Sequence, residues 1–154
     1  MTEKRLESGG KYYTSSFKAD ILNIKRTINE TLAYYEKTFS MMDESSRLEM
    51  KVVLNELLVN AFKHGGKNGA RSFIKAIAGM ASEDCAFLII EDDGEGYDTS
   101  RIKMNRSRDA YPSRVDEIEE TGRGIFIVRS LCEDFMVNEK GNKVVVIKKM
   151  NKTA

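Results

Sequence analysis

The sequence contains no tryptophan, one proline, one histidine and two cysteines in 154 residues. No apolar run approaches the roughly 20 residues that a membrane-spanning helix needs, and the polar start MTEKRLESGGKYYTSS lacks the apolar core of a secretory signal. The net charge is only +1, which gives no electrostatic basis for binding nucleic acid or an anionic membrane. These absences predict a cytoplasmic protein that binds neither nucleic acid nor membrane.

The two cysteines and the single histidine form no metal-binding or redox motif. Cys85 and Cys132 lie in separate apolar segments, without a Cys-x-x-Cys pair or a neighbouring histidine, so we expect reduced thiols that pack in the core. His64 stands directly before Gly65-Gly66. We interpret it as a residue at the C-terminal end of a helix, interacting with the helix dipole, rather than as a catalyst.

The pattern of apolar residues predicts a single domain over 11–150, preceded by a flexible tail at 1–10. From Asp20 onward apolar residues recur every three or four positions, which indicates an amphipathic helix. Ser46 followed by Glu49 fits a capping box at the start of a second helix, which a glycine pair would end. Strands are predicted at 11–19, 71–79, 85–90, 135–138 and 144–149, and a third helix at 122–132. This order predicts an α/β two-layer sandwich with the helices on one face of the sheet.

Residues 97–121 interrupt this pattern. They are polar and charged and contain the only proline, Pro112. A weakly patterned segment of this length inside a compact domain is typical of a lid, a binding loop or disorder.

Glu56 and Asn60 are the first candidate functional residues. They are four residues apart on the second predicted helix, so their side chains lie on one face about one turn apart. Burying a carboxylate or a carboxamide without a partner costs roughly 2 kcal/mol or more, and a bound metal ion or phosphate would explain both. Asn supplies an oxygen ligand for Mg²⁺, and Glu can polarise a nucleophile. The alternative is a solvated edge of the helix.

The acidic segment from Glu91 to Asp98 follows directly after the most apolar strand. Asp92 at the strand end can accept a hydrogen bond from an exocyclic amine, and Gly94 and Gly96 allow close approach of the backbone. The spacing does not match a calcium loop of the EF-hand type. An acidic turn, or a loop that holds some other divalent ion, is the alternative interpretation.

Gly122 and Gly124 open the third predicted helix. The free N–H groups at a helix N-terminus favour phosphate. A Rossmann motif is excluded because the third glycine is missing and no apolar strand leads into the pair, and a P-loop is excluded because Gly-Lys-Ser/Thr is absent. The alternative is a helix start that needs a flexible backbone.

The three motifs become specific when they are taken in order. Glu-x-x-x-Asn on a helix, Asp-x-Gly-x-Gly after a strand and Gly-x-Gly opening a helix together resemble the Bergerat ATP-binding fold of DNA gyrase, histidine kinases and their relatives, over roughly 11–149. The chain is most similar to the anti-sigma-factor serine/threonine kinases, through Phe17-Lys-Ala-Asp20, Asn60-Ala61 with His64, Asp92 to Asp98 and Gly122 to Val128. The resemblance implies a mixed, mostly antiparallel sheet and an ATP lid at about 97–121.

The resemblance also implies a role for each matching residue. Asn60 would hold Mg²⁺ between the phosphates of ATP, and Glu56 would be the base that activates the attacking hydroxyl or water. Asp92 would accept a hydrogen bond from the adenine amino group. Relatives often have a threonine near the adenine on the last hairpin, where this chain has Lys143. Either the adenine contacts are weaker in this chain, or the alignment is shifted by one residue.

The glycines would act on the pocket and the lid. Gly94 and Gly96 would shape the pocket wall, while Gly122 and Gly124 would hinge the lid and approach the phosphates. Candidates for phosphate or partner contacts are the lid arginines Arg101, Arg106, Arg108 and Arg114, although a solvated charged loop also accounts for each of them.

The function implied by the resemblance is a kinase that uses Mg-ATP to phosphorylate a STAS-type antagonist protein and that binds a sigma factor or a similar regulator, with a homodimer as one arrangement. The alternative is a non-catalytic, nucleotide-gated protein-binding module of the same fold. A sensor histidine kinase is disfavoured because His64, the only histidine, lies in the ATP-binding helix. Gyrase- and chaperone-type ATPases need further domains.

Overall fold

The computed structural model describes residues 2–7, 10–39, 42–65, 72–93 and 120–153. Along the chain the elements are β1 Thr2–Glu7, β2 Gly10–Lys18, α1 Ile21–Thr38, α2 Glu44–Gly65, β3 Phe73–Met80, β4 Cys85–Asp92, α3 Glu120–Leu131, β5 Asp134–Val137 and β6 Lys143–Lys149. The predicted order of strands and helices after β1 is confirmed. Within the described ranges no helix has both the length and the apolar character needed to cross a membrane.

The six strands form one sheet in the order β1-β2-β3-β4-β6-β5. Its helix-covered face is buried, since every second side chain of β4 and β6 is buried. The predicted α/β two-layer sandwich is therefore confirmed. The sheet is simpler than the expected mixture of pairings, because every described pair is antiparallel. Tight hairpins join β3 to β4 and β5 to β6, and a hairpin can join only antiparallel strands.

The N-terminal residues differ from the predicted flexible tail at 1–10. Residues 2–7 form β1, which pairs with β2 in a register that places Glu7 opposite Gly10. An edge strand is held by main-chain hydrogen bonds and needs no apolar face of its own. The polar composition of this segment therefore gave no sign of the strand.

Helix α1 begins where the sequence predicts it. Asp20 caps the helix, since its side-chain oxygen accepts a hydrogen bond from the main-chain N–H of Asn23 at 2.8 Å. Near the other end, the buried phenol of Tyr35 donates to the main-chain carbonyl of Phe87 in β4. Burial raises the pKa of Tyr35 well above its usual value, so the phenol remains a neutral donor that joins α1 to the sheet.

Helix α2 begins earlier than predicted and has a different cap. The carboxylate of Asp43 accepts a hydrogen bond from the N–H of Ser46 at 2.8 Å. The predicted capping box of Ser46 and Glu49 is wrong, because both side chains have other partners. The Ser46 hydroxyl accepts from the N–H of Asn151 at 2.8 Å, and Glu49 forms an ion pair with Lys148 at 2.8 Å. Both contacts fasten the start of α2 to the end of the chain.

Helix α2 lies at the centre of the helical layer, in contact with α1, α3, β3 and β4. Its buried apolar residues are Met50, Val53, Leu54, Leu57, Leu58 and Ala61. The sheet beneath presents the small side chains of Ala76, Ala78 and Ala86. Because burial of each larger side chain stabilises the fold by roughly 1.5–3 kcal/mol, α2 is a firmly held element on which to place a site.

The opposite face of the sheet, called here the outer face, also carries apolar side chains. Its central residues, all half-buried, are Ile77, Phe87, Ile89, Val145 and Ile147. The ring of Phe87 covers Gly79, where a Cβ atom would lie 2.3 Å from the ring. Adjacent apolar side chains on a sheet face that no described helix covers are typical of an interaction surface.

Candidate functional site

Helix α2 presents Glu56 and Asn60 toward α3. Asn60 is only 6% exposed, and Glu56 is half-buried. A solvated helix edge, the alternative considered for this motif, does not describe a side chain as buried as Asn60. Among the described residues, the Glu56 carboxylate has no ion-pair partner.

Helix α3 brings Gly124 directly onto this pair. A Cβ atom built on Gly124 would lie 2.5 Å from Glu56 Oε2 and 3.4 Å from Asn60 Nδ2. No other residue fits at this position unless Glu56 moves. The first and third motifs therefore meet in space, in a contact that we call the helix seam, formed by Glu56, Asn60 and Gly124. The helix begins at Glu120, so the glycine pair lies inside its first turns.

The Asn60 carboxamide has an open hydrogen-bonding end at the seam. Its nitrogen, Nδ2, is buried and has no hydrogen-bond partner among the described residues. An unpaired buried polar group costs about 1–3 kcal/mol, and such groups are retained where a ligand completes them. The oxygen and nitrogen of a carboxamide exchange by rotation, so this end can present an oxygen to a hydrated Mg²⁺. The chemistry of the seam therefore fits the expected metal ion.

Asp92 ends β4 on the helix-covered face of the sheet and is 5% exposed. Its main chain is held on one side by Asn142, whose carbonyl accepts from the Asp92 N–H at 2.9 Å. The Asn142 side chain donates back to the Asp92 carbonyl, also at 2.9 Å. On the other side Asp92 pairs with Ile74 of β3. The carboxylate of a residue whose main chain is held in this way can select an amino group by accepting its hydrogen bond.

Asn142 is a positioning residue that the sequence did not reveal. It lies in the turn between β5 and β6, where Asn138 accepts hydrogen bonds from the N–H groups of Gly141, Asn142 and Lys143. Gly141 has a φ of 80°, which favours glycine. The only signal in the sequence was the predicted turn near Gly141-Asn142. We call Asp92 and Asn142 together the sheet edge.

Lys143 does not lie beside Asp92. It pairs with Glu91 on the outer face, whereas its neighbour Val144 pairs with Ile90 on the buried face. The side chain of Lys143 therefore lies on the opposite face of the sheet from that of Asp92, because a shift of one residue moves a side chain to the other face.

The remaining predicted residues lie away from the helix seam and the sheet edge or outside the described residues. Gly94, Gly96 and the four lid arginines lie outside the described residues. Gly122 lies in the first turn of α3, and His64 lies in the last turn of α2, where the sequence predicts it. Both cysteines are free thiols, as predicted. Across the described parts of the chain, no three His, Cys, Asp or Glu residues cluster as a metal site.

Similarity to known proteins agrees with this geometry. The family model of the histidine kinase-like ATPase domain matches residues 17–148. The serine-protein kinase RsbW of Oceanobacillus iheyensis is 26% identical over 101 residues, which are 66% of this chain and 63% of that protein. RsbW of Staphylococcus epidermidis is 26% identical over 105 residues, 68% of this chain and 66% of that protein. The chain thus spans just under two thirds of the length of these relatives.

Proposed function

The chain belongs to the family of histidine kinase-like ATPase domains, and we propose that it binds Mg-ATP and acts as an anti-sigma-factor-type serine/threonine protein kinase. The observation that carries this proposal is the helix seam, where a Cβ atom on Gly124 would lie 2.5 Å from Glu56 Oε2 and 3.4 Å from Asn60 Nδ2. The seam joins a carboxylate, a carboxamide whose nitrogen has no partner among the described residues, and the first turns of a helix. The names of the similar proteins, serine-protein kinases, support the reaction class.

In this proposal the adenine is recognised at the sheet edge. Asp92 accepts a hydrogen bond from the adenine amino group, and Asn142 keeps the main chain of Asp92 in place. Gly94 and Gly96, which lie outside the described residues, would shape the wall of the pocket. The burial of Asp92 supports this role, since a desolvated carboxylate makes a strong hydrogen bond to an amine.

The phosphates are bound at the helix seam. Asn60 would hold the Mg²⁺ ion, which would supply positive charge to offset that of the phosphates. Gly122 lies in the first turn of α3, where free N–H groups and the positive end of the helix dipole favour phosphate oxygens. Gly124 follows in the next turn and leaves space beside Glu56.

Glu56 acts as the base in the transfer step. A serine or threonine hydroxyl of the protein substrate gives its proton to the Glu56 carboxylate, and its oxygen forms a bond to the γ-phosphorus of ATP. The bond between that phosphorus and the β,γ-bridging oxygen breaks, and ADP leaves with the electron pair. A half-buried carboxylate without an ion-pair partner among the described residues is suited to accept this proton.

The partners in this proposal are a STAS-type antagonist as phosphoacceptor and a sigma factor as the regulated protein. Both interactions belong to a cytoplasmic signalling circuit, and the two free cysteines are compatible with a reducing compartment.

A homodimer formed through the outer face of the sheet is part of the same proposal. The half-buried apolar side chains there would be covered by a second copy, and the rim beside them carries both Lys143 and Glu91, paired with each other on adjacent strands. A surface with charges of both signs can pair with itself across a two-fold axis. Light scattering on the purified protein would give the mass of two chains. A monomer at all concentrations tested would contradict this part.

Calorimetric titration with ATP and ADP, each with and without Mg²⁺, tests nucleotide binding. We expect Mg²⁺ to tighten ATP binding in the wild type, and Asn60→Ala to remove most of that increment, about ten- to one-hundredfold. Asn60→Ala should keep or raise the melting temperature, because it removes a buried polar atom that has no partner among the described residues. A wild type that binds neither nucleotide would overturn the whole proposal.

Phosphate transfer is tested separately with γ-labelled ATP and a purified STAS-type antagonist protein from the same organism. We expect label on a serine or threonine of that protein. If nucleotide binds but no phosphoprotein forms, the non-catalytic, nucleotide-gated binding module is the correct function.

A further inference from the structure

One lysine of β6 points into the interior of the protein. The strand ends Ile147-Lys148-Lys149, and the alternation of the strand turns Lys148 to the helix-covered face, where it is 3% exposed. Its ammonium group, Nζ, donates a hydrogen bond to Glu49 Oε2 at 2.8 Å and to the main-chain carbonyl of Leu131 at 3.0 Å. Lys148 thus joins the sheet to two helices at once.

Both contacts are chemically specific. Burying an ammonium group is unfavourable unless it is paired and hydrogen-bonded, and here both conditions are met. Leu131 is the last residue of α3, so its carbonyl is among those that have no partner inside the helix. A positive charge at this end of a helix is also favoured by the helix dipole. Lys148 therefore fixes the C-terminal end of α3 to the start of α2.

The same two helices meet again at the helix seam. Glu49 lies toward the start of α2 and is joined through Lys148 to the end of α3, whereas Glu56 lies further along α2 and touches Gly124 near the start of α3. The helices therefore run antiparallel, with the lysine at one end of their contact and the seam at the other. From Gly124 to Leu131 the distance is about 10 Å, at 1.5 Å per residue.

We propose that Lys148 is a positioning residue for the phosphate end of the nucleotide site. By holding the far end of α3, it keeps Gly124 against Glu56 and Asn60, where a small displacement of the helix changes the space available to Mg²⁺ and phosphate. This inference rests on the proposed nucleotide binding. It predicts that Lys148 acts at the helix seam and leaves the sheet edge unaffected, because Asp92 is held by strands and by Asn142.

Three variants separate the contacts of Lys148. Lys148→Met keeps the length of the buried stem and removes the charge and both hydrogen bonds. Lys148→Arg keeps a positive charge with several donors. Glu49→Gln weakens the ion pair and leaves the bond to Leu131. Because Glu49 is 41% exposed, water can hydrate its carboxylate in Lys148→Met, so no unpaired charge is buried and the fold should persist.

The measurement is the ratio of two dissociation constants from calorimetry, that of Mg-ATP and that of ADP without Mg²⁺. We expect Lys148→Met to weaken Mg-ATP binding about three- to tenfold with ADP binding unchanged, so the ratio rises. Lys148→Arg should restore most of the wild-type ratio. The ratio for Glu49→Gln should lie between those of the wild type and Lys148→Met. A role in general stability alone would lower the melting temperature and leave the ratio unchanged.

Cys132, which follows α3 and is 3% exposed, provides a readout independent of nucleotide. In a Cys85→Ser background, Lys148→Met should speed labelling of Cys132 by a thiol reagent several-fold, because the end of α3 opens more often. Faster labelling with an unchanged ratio of dissociation constants, or no change in either, overturns the positioning role while the proposed function stands. A wild type that binds no nucleotide overturns both.

Discussion

The sheet edge and the helix seam differ in how completely the protein satisfies their polar groups. At the sheet edge the main-chain N–H and carbonyl of Asp92 are both hydrogen-bonded to Asn142, and Asp92 lies opposite Ile74 of β3. At the seam Asn60 has a buried nitrogen without a partner among the described residues, and only a glycine fits beside Glu56. One region is fixed by the strands, and the other depends on the relative position of two helices.

This difference favours a division of labour within the proposed nucleotide site. The adenine ring is chemically unchanged during transfer and is recognised by hydrogen-bond geometry. A carboxylate on a fixed main chain suits this task. An unsatisfied carboxamide suits the metal and phosphates, which complete its hydrogen bonding only when they bind. Variants of the two regions should therefore affect different quantities, adenine affinity in one case and the Mg²⁺-dependent step in the other.

Glu56→Gln should give the largest effect. The amide keeps the shape of the side chain beside Gly124 but cannot accept the proton of the attacking hydroxyl, so phosphate transfer should fall about 10²- to 10⁴-fold. Single-turnover transfer from γ-labelled ATP measures the rate. ATP affinity, measured by calorimetry, should remain within about twofold of the wild type, because in the proposed mechanism Glu56 accepts a proton and does not bind the nucleotide. Transfer at the wild-type rate would show that another group is the base.

Asp92→Asn should give the next largest effect, on binding rather than on transfer. The carboxamide can present a donor toward the adenine amino group, so affinity for both ADP and ATP should fall about ten- to one-hundredfold. The loss should be the same with and without Mg²⁺, since the sheet edge is separate from the seam. A loss confined to the Mg²⁺-containing titrations would contradict the division of the site.

Gly124→Ala tests the closeness of the seam. The added methyl would lie 2.5 Å from Glu56 Oε2, so Glu56 must move, and we expect Mg-ATP affinity to fall about tenfold. Alanine favours a helix over glycine by about 1 kcal/mol, so the loss should occur without a large drop in melting temperature. ADP binding without Mg²⁺ should change little.

Gly79→Ala is the matched control for this variant. Its added methyl would lie 2.3 Å from the ring of Phe87, a similar crowding on the outer face of the sheet. The melting temperature should fall, and the nucleotide affinity of the folded protein should stay that of the wild type. If both alanine variants lose Mg-ATP affinity equally, the effect of Gly124→Ala is not specific to the seam.

The sequence predicted most of the elements and singled out the residues of the proposed site, but it did not predict the contacts between them. Periodicity gave α1, and glycine gave the end of α2, because these are local signals. The contact of Gly124 with Glu56 joins helices far apart in the chain, so no local pattern could reveal it. The sequence also did not predict on which face of the sheet the side chains of Lys143 and Lys148 lie. The continuous apolar run before Lys148 shows no alternation of apolar and polar residues from which faces could be assigned. Strand β1 lacked even an apolar signal.

Lys143→Thr should give the smallest effect and tests the register of β6. A threonine at this position matches the residue expected in relatives, and if Lys143 faced the adenine the substitution should tighten nucleotide binding. The pairing of Lys143 with Glu91 instead turns its side chain to the outer face, so ADP and ATP affinities should stay within about twofold. Val144→Thr, on the buried face beside Ile90, is the paired variant. A gain in affinity from Lys143→Thr that Val144→Thr does not give would mean that the strand is shifted by one residue from the register described.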